Sequence, residues 1–137
     1  MKKRVVGYKL SRTTNERKQL FRNLTRSLAE HGSIVTSLAK AKAAKRFVEK
    51  LITWAKQNNL TSFRYLVAKT NDLATARILT NIAKHFQQRN GGYTRLIRLG
   101  RQKGDNSLKV RLEWVEKVVD SQKTRNNQQT ASKIQRQ

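Results

Sequence analysis

The sequence predicts an α+β fold in which a small mixed three-stranded sheet packs on helices. Apolar residues recur with helical periodicity in four segments before residue 90. After residue 92, apolar and polar residues alternate, which is typical of strands with one buried face. A short β-branched run after Gly32 indicates one more strand. The predicted order of elements is therefore α-β-α-α-α-β-β.

Residues 1–12 are predicted to form an extended basic arm. They combine five basic residues with Gly7 and Tyr8, and they lack sustained periodicity of either kind. An unpaired basic segment with an aromatic ring for stacking can thread between RNA helices. The predicted RNA contacts of the arm are Lys2, Lys3, Arg4, Tyr8, Lys9 and Arg12.

The first predicted helix begins at Thr13 and ends at Gly32. Thr13 and Glu16 have the spacing of a capping box, and Gly32 tolerates the left-handed conformation that ends helices. One face of this helix is apolar, whereas the opposite face carries cations at successive spacings of four. An ordinary solvated face mixes Lys with Glu, so this face is predicted to contact phosphate. The predicted contacts on this helix are Arg17, Lys18, Arg22 and Arg26.

A β-branched run at Ile34–Thr36 precedes the second predicted helix, which spans residues 38–55. The apolar stripe of this helix faces away from a second row of cations, for which phosphate contact is also predicted. Phe47 and Trp54 flank the stripe, and aromatic residues in such positions are more often core residues than base-stacking platforms. The predicted contacts on this helix are Lys40, Lys42, Lys45, Arg46 and Lys50.

The remaining predicted elements are two helices and a hairpin. A shorter helix ends near Asn71, and a longer one spans residues 72–88. Strands over residues 93–99 and 108–114 are joined by turn residues, which predicts an antiparallel pair. The hairpin supplies the predicted RNA contacts Arg98, Arg101 and Lys103.

The charge of the chain indicates a polyanionic partner. Its 31 Lys and Arg residues far exceed its eight Asp and Glu residues, and the formal net charge is +23. Binding a dense array of phosphates relieves such self-repulsion, and the cations occur along the whole chain rather than in one tail. The predicted organisation is an arm over residues 1–12, a single nucleic-acid-binding domain over 13–118 and a flexible polar tail over 119–137.

Catalytic and metal chemistry find little support in the residues. The chain has no cysteine, which excludes disulfides and thiolate metal sites. His31 and His85 have no partner at the spacing of a metal site, and the acidic residues are scattered. Gly91 and Gly92 follow a helix and precede a strand, which is the reverse of a phosphate-binding loop. No enzymatic activity, cofactor or metal is therefore predicted, and neither a membrane nor a small-molecule substrate is expected as a partner.

Three blocks of sequence carry a family resemblance. They are YKLSRTTNERKQLFRNL, IVTSLAKAKAAKRFVEKLIT, and GGYTRLIRL followed by KGDNS and VRLEWV. From about residue 4 to residue 116, the chain resembles the bacterial-type large-subunit ribosomal protein seventeen family. The resemblance implies a two-layer α/β sandwich fold. It also implies a structural protein that binds large-subunit rRNA near the nascent-chain tunnel exit, beside other large-subunit proteins. It also implies rRNA-facing positions at residues 39–42 and 93–95, which adds Tyr93 and Arg95 to the predicted contacts.

The expected location is the cytoplasmic ribosome, with an organellar ribosome as an alternative. Two other functions are compatible with the charge. A DNA-compacting or other non-ribosomal nucleic-acid-binding protein would carry the same surplus of cations, but no dimerisation zipper or groove-reading motif is visible. An RNA-processing enzyme would need a cluster of acidic or His residues within the basic frame. The sequence contains no such cluster, so the ribosomal function is preferred.

Overall fold

Four helices and three strands form the part of the chain that the computed structural model describes, residues 7–116. The helices and strands are α1 (Thr14–His31), β1 (Ser33–Ser37), α2 (Leu38–Ala55), α3 (Leu60–Thr70), α4 (Leu73–His85), β2 (Thr94–Arg101) and β3 (Leu108–Trp114). The predicted α+β class is confirmed. Residues 1–6, the first half of the predicted arm, and residues 117–137, which include the predicted tail, lie outside the described residues.

Helix α1 begins and ends as its sequence predicts. The backbone N–H of Thr13 donates to Glu16 Oε2 at 2.8 Å, and the Glu16 N–H donates to Thr13 Oγ1 at 3.4 Å. These two bonds satisfy donors that the first turn of a helix leaves unpaired. Gly32 ends the helix with a φ of 72°, and its N–H donates to the Leu28 carbonyl. None of the helices in the described chain is both long and apolar enough to span a membrane.

Asn58 and Asn59 lie between α2 and α3, and Asn59 is the residue that caps the start of α3. Asn59 Oδ1 accepts from the Ser62 N–H at 2.7 Å, and Ser62 Oγ accepts from the Asn59 N–H at 3.2 Å. Helix α4 is shorter than predicted, because it ends at His85 rather than at residue 88. Phe86 follows the helix and is fully buried, so the chain turns at the point where this ring enters the core.

The sheet has the order β1-β3-β2, and both pairs are antiparallel. The predicted pairing of the last two strands is therefore confirmed, whereas the prediction of a mixed sheet is wrong. The reason is topological: β1 and β2 run in the same direction, but β3 lies between them, so no parallel pair forms. In the central register Leu112 lies opposite Ile34 on one side and Leu96 on the other.

The core lies between the helices and one face of the sheet. Its fully buried members include Leu28, Val48, Ile52, Leu79, Phe86, Val110 and Leu112. Trp114 connects the two layers, since its Nε1–H donates to the Leu28 carbonyl at 3.2 Å. Every buried side-chain nitrogen and oxygen of the described residues has a hydrogen-bond partner. The core is thus fully satisfied, and the excess cations lie outside it.

Candidate nucleic-acid interface

The described part of the arm is held against the first turn of α1 by Arg17. Arg17 Nη1 donates to the carbonyl of Arg12 at 2.7 Å and to that of Lys9 at 3.4 Å. Arg17 therefore positions the arm in addition to carrying charge. Lys9 and Arg12 are exposed, as is Tyr8 with 41% of its surface accessible. The predicted contacts Lys2, Lys3 and Arg4 lie outside the described residues.

A groove with an aromatic floor lies where α1, α2 and α3 meet. We call it the aromatic groove, and its volume is about 310 Å³. Phe21 and Phe47 stack in it with ring centroids 5.7 Å apart and ring planes 26° apart. The groove is lined by Lys18, Phe21, Arg22, Phe47, Ala68 and Lys69. Its charged lining residues are all cations.

Arg22 and Arg26 lie on the same face of α1 but have different partners. Arg22 Nε donates to the Lys69 carbonyl at 3.2 Å, which joins α1 to α3. Arg26 Nε donates to Glu30 Oε1 at 2.9 Å, and this bond raises the pKa of Arg26 above its ordinary value. The Arg26 side chain remains 61% exposed, and exposed ion pairs of this kind are weak. Arg26 can therefore exchange its partner for a phosphate.

The outward face of α2 carries the row of cations that its sequence predicts. Lys42, Arg46 and Lys50 are exposed. Ion pairs among residues 7–116 involve Arg26, Lys45 and Arg95, so these three cations have no carboxylate partner there. Lys45 lies 3.9 Å from Glu49, and Lys40 is half-buried.

The predicted core assignment of the two aromatic residues of α2 is only partly correct. Both rings are half-buried, and Trp54 stacks on Tyr65 with centroids 4.5 Å apart. Phe47 packs against the core and at the same time forms part of the groove floor. A position at the edge of an apolar stripe makes both contacts possible, and the wheel pattern alone does not separate them.

The β2–β3 hairpin presents a second group of cations. Arg98, Arg101 and Lys103, the hairpin cations, are exposed, and within the described chain their side chains have no carboxylate partner. A bulge between Arg98 and Gly100 interrupts the ladder. Arg95 is paired differently, since its Nε donates to Glu113 Oε1 at 2.6 Å.

Tyr93 does not lie on the surface. Its ring is 2% exposed and packs edge-on against Phe86, with centroids 5.3 Å apart. Contrary to the prediction for this residue, its ring therefore belongs to the core. Tyr93 lies just before β2, whereas Arg95, two residues later, is exposed.

Several cations that the sequence analysis did not select also lie on the surface, and three of them adjoin the predicted contacts. Lys109 and Arg111 are exposed on the outer face of the sheet, where Arg111 lies opposite Val35 and Ile97. Their alternation with buried Val110 and Leu112 in the sequence indicates that Lys109 and Arg111 face away from the core. Lys69 contributes to the aromatic groove across 47 residues of sequence from Arg22, a proximity that no local pattern indicates.

Two acidic residues of the described chain, Asp105 and Asp72, accept hydrogen bonds from residues close to them in sequence. Asp105 accepts from the N–H and the hydroxyl of Ser107, and these bonds lower the pKa of Asp105. Asp72 caps α4, and hydrogen bonds from Thr75 lower the pKa of Asp72 in the same way. Across residues 7–116 no three His, Asp or Glu side chains come together as a metal site would require.

Comparison with known proteins places this arrangement among ribosomal proteins. A sequence model of the family described as ribosomal protein L17 matches residues 20–115. The large ribosomal subunit protein bL17 of Orientia tsutsugamushi (strain Ikeda) is 41% identical over 122 residues, which cover 88% of this chain and 84% of the relative. The protein of the same name from Anaeromyxobacter sp. (strain K) is 41% identical over 119 residues, covering 86% and 75% of the two chains.

Proposed function

The chain belongs to the ribosomal protein L17 family, and from this premise we propose that it binds and stabilises large-subunit rRNA as a structural constituent of the large ribosomal subunit. The observation that carries the proposal is the placement of cations without carboxylate partners on several separate surfaces of the described residues. A partner that surrounds the protein would meet all of these surfaces, whereas a duplex docked on one face would meet only one.

The proposed mechanism is scaffolding. Lys and Arg side chains neutralise phosphates from different rRNA segments, release the counterions condensed there and so lower the cost of bringing the segments together. The core supplies a rigid frame, because its polar groups are satisfied and its apolar side chains are fully buried. The proposed rRNA contacts are the surface cations of the arm, of α1, of α2 and of the hairpin. Tyr93 is not among them, because its side chain is buried.

The proposed position is near the nascent-chain tunnel exit, with neighbouring large-subunit proteins as further partners, in the cytoplasmic ribosome. Residues 13–118 are proposed as the rRNA-binding domain, flanked by an arm and a tail. Crosslinking of purified large subunits at Lys2–Lys9, followed by sequencing of the attached RNA, tests this position. Attachment to rRNA remote from the tunnel exit would contradict it.

Exchange of the cations on α2 provides the test of rRNA binding. The variant combines Lys42→Ala, Arg46→Ala and Lys50→Ala, which removes three exposed charges outside the core. A matched control combines Arg64→Ala, Arg77→Ala and Lys84→Ala, exposed cations of α3 and α4 outside the proposed contacts. We expect the first variant to enter large subunits less well than the control when each competes with the unaltered chain. Equal incorporation of the two variants would contradict the proposed interface.

A DNA-compacting function makes a different prediction for the unaltered chain. A ribosomal protein sediments with large subunits from cell extracts in salt that removes loosely bound proteins, because many phosphate contacts act together. A DNA-compacting protein would instead sediment with the chromosome, and only digestion with a DNA-specific nuclease would release it. Recovery of the chain with the chromosomal DNA rather than with large subunits would overturn the proposed ribosomal function.

A further inference from the structure

The aromatic groove combines two features that recognition of a single nucleotide requires, an apolar ring face and cations at its edge. We propose that the groove binds the base of one unpaired rRNA nucleotide against Phe47 and Phe21, with the adjoining phosphate at the surrounding cations. This inference rests on the proposed function, and it adds the chemical group that this part of the surface recognises.

The floor of the groove suits a planar base. Phe21 and Phe47 are each half-buried, so part of each ring remains accessible from the groove. Ala68 on α3 supplies a wall without a large side chain, and the volume of about 310 Å³ lies at the small end of the range for ligand sites. A base is bound by stacking through its flat face, and an unpaired base presents that face while a base in a duplex does not.

Two of the three cations of the groove, Arg22 and Lys69, have partners within the protein before any RNA binds. The Nε of Arg22 is fixed on the Lys69 carbonyl, while its two terminal nitrogens make no hydrogen bond to the described residues. Lys69 Nζ lies 5.3 Å from the centre of the Tyr65 ring, and Tyr65 in turn stacks on Trp54. Because the Arg22 guanidinium is already held in place, it loses little conformational entropy when it donates to phosphate oxygens.

The charge of the groove favours a nucleotide over an apolar protein segment. An apolar helix laid on the rings would cover Lys18, Arg22 and Lys69 without giving them partners, and burying unpaired charges is costly. A nucleotide supplies a flat base for the rings and an anion for the cations at the same time. The rings of the groove therefore suit the base of a nucleotide, and its cations suit the phosphate.

Chemical probing of rRNA in purified large subunits tests the proposal. Dimethyl sulfate reports accessible adenine and cytosine, and a carbodiimide reports guanine and uracil, so every base is covered. In subunits that carry Phe47→Leu, we expect one unpaired nucleotide to become more reactive by about fivefold or more, the scale of a lost base–aromatic stack. Phe47→Tyr keeps the ring and should leave that nucleotide protected.

Phe63→Leu is the matched control, because Phe63 is also half-buried and packs on the core but does not line the groove. Identical reactivity in the Phe47→Leu and Phe63→Leu subunits would overturn the proposal while leaving the proposed function intact, since both chains would be in the subunit. Exposure of a continuous base-paired stretch by Phe47→Leu would also overturn it, in favour of a duplex contact.

A second variant covers the case in which Phe47→Leu fails to enter subunits. Lys18→Ala combined with Lys69→Ala removes two of the three cations of the groove and leaves the ring pair unchanged. The proposal then requires that one unpaired nucleotide gains reactivity in these subunits, and no change would reject it. Failure of even the unaltered chain to enter subunits would reject the proposed function itself.

Discussion

The aromatic groove and the hairpin both present cations, but they hold them in different ways. In the groove, Arg22 is bonded to the Lys69 carbonyl and Lys69 lies over the Tyr65 ring. At the hairpin, Arg101 and Lys103 extend from a strand end and a turn, and their side chains make no hydrogen bond to the described residues. The same residue types are thus fixed in one region and unrestrained in the other.

The difference separates two kinds of recognition. An unrestrained cation follows a phosphate wherever it lies, so it adds affinity without demanding a particular geometry. A guanidinium that is already held in one orientation donates well only to phosphates that lie in the matching position. We therefore expect the hairpin to contribute affinity that depends strongly on salt, and the groove to contribute selection of local RNA structure.

The largest expected effect comes from Trp114, on which both regions depend because it joins β3 to the end of α1. Trp114→Ala should lower the free energy of unfolding by about 3–5 kcal/mol, the usual cost of removing a buried aromatic side chain. Urea denaturation of the full chain measures it. Trp114→Phe retains an aromatic ring and loses the bond to the Leu28 carbonyl, so it should cost less; equal losses would show that packing is unimportant here.

The next effect concerns salt dependence. Replacing Arg98, Arg101 and Lys103 together with Ala should reduce the slope of log affinity against log salt by about 2–3 in binding to large-subunit rRNA, close to one for each lost phosphate contact. The unfolding midpoint should stay unchanged, because these side chains are exposed. An unaltered slope would show that the hairpin cations do not contact rRNA phosphates, and the proposed contrast between the hairpin and the groove would then be wrong.

Particular residues explain how far the sequence alone could predict this arrangement. Local signals specify the caps and the hairpin: Thr13, Glu16 and Gly32 act within one helix, and the alternation around Val110 acts within one strand. The position of β3 between β1 and β2 depends on which edge the hairpin joins, and no local pattern encodes that choice. The groove likewise depends on α3 reaching α1, which brings Lys69 to Arg22.

A smaller effect should distinguish the two regions directly. Arg22→Lys keeps the charge of the groove but replaces a planar donor that is held on the Lys69 carbonyl, so it should weaken rRNA binding by a factor of about 2–10, as expected for one lost hydrogen bond. Arg101→Lys keeps the charge at a position without such a bond and should leave affinity within about twofold. Filter binding at one salt concentration compares the pair, and equal losses would mean that fixing the guanidinium has no consequence.

The smallest effect is a pH dependence that the two regions should share. Hydrogen bonds from Thr75 lower the pKa of Asp72 at the start of α4, and those from Ser107 lower the pKa of Asp105 in the hairpin turn. A carboxylate with a lowered pKa in the folded state contributes stability that is fully present above its unfolded pKa, about 4, and is lost as the pH falls through the folded value. Asp72→Ala and Asp105→Ala should therefore each make the unfolding midpoint less sensitive to acid below about pH 4. The two caps support different elements, since Asp72 caps a helix that packs against α1, α2 and α3, and Asp105 lies in the turn at the hairpin tip. If only Asp72→Ala flattens the profile, the turn at the hairpin tip adds nothing to folding, and the hairpin differs from the groove in its support as well as in its cations.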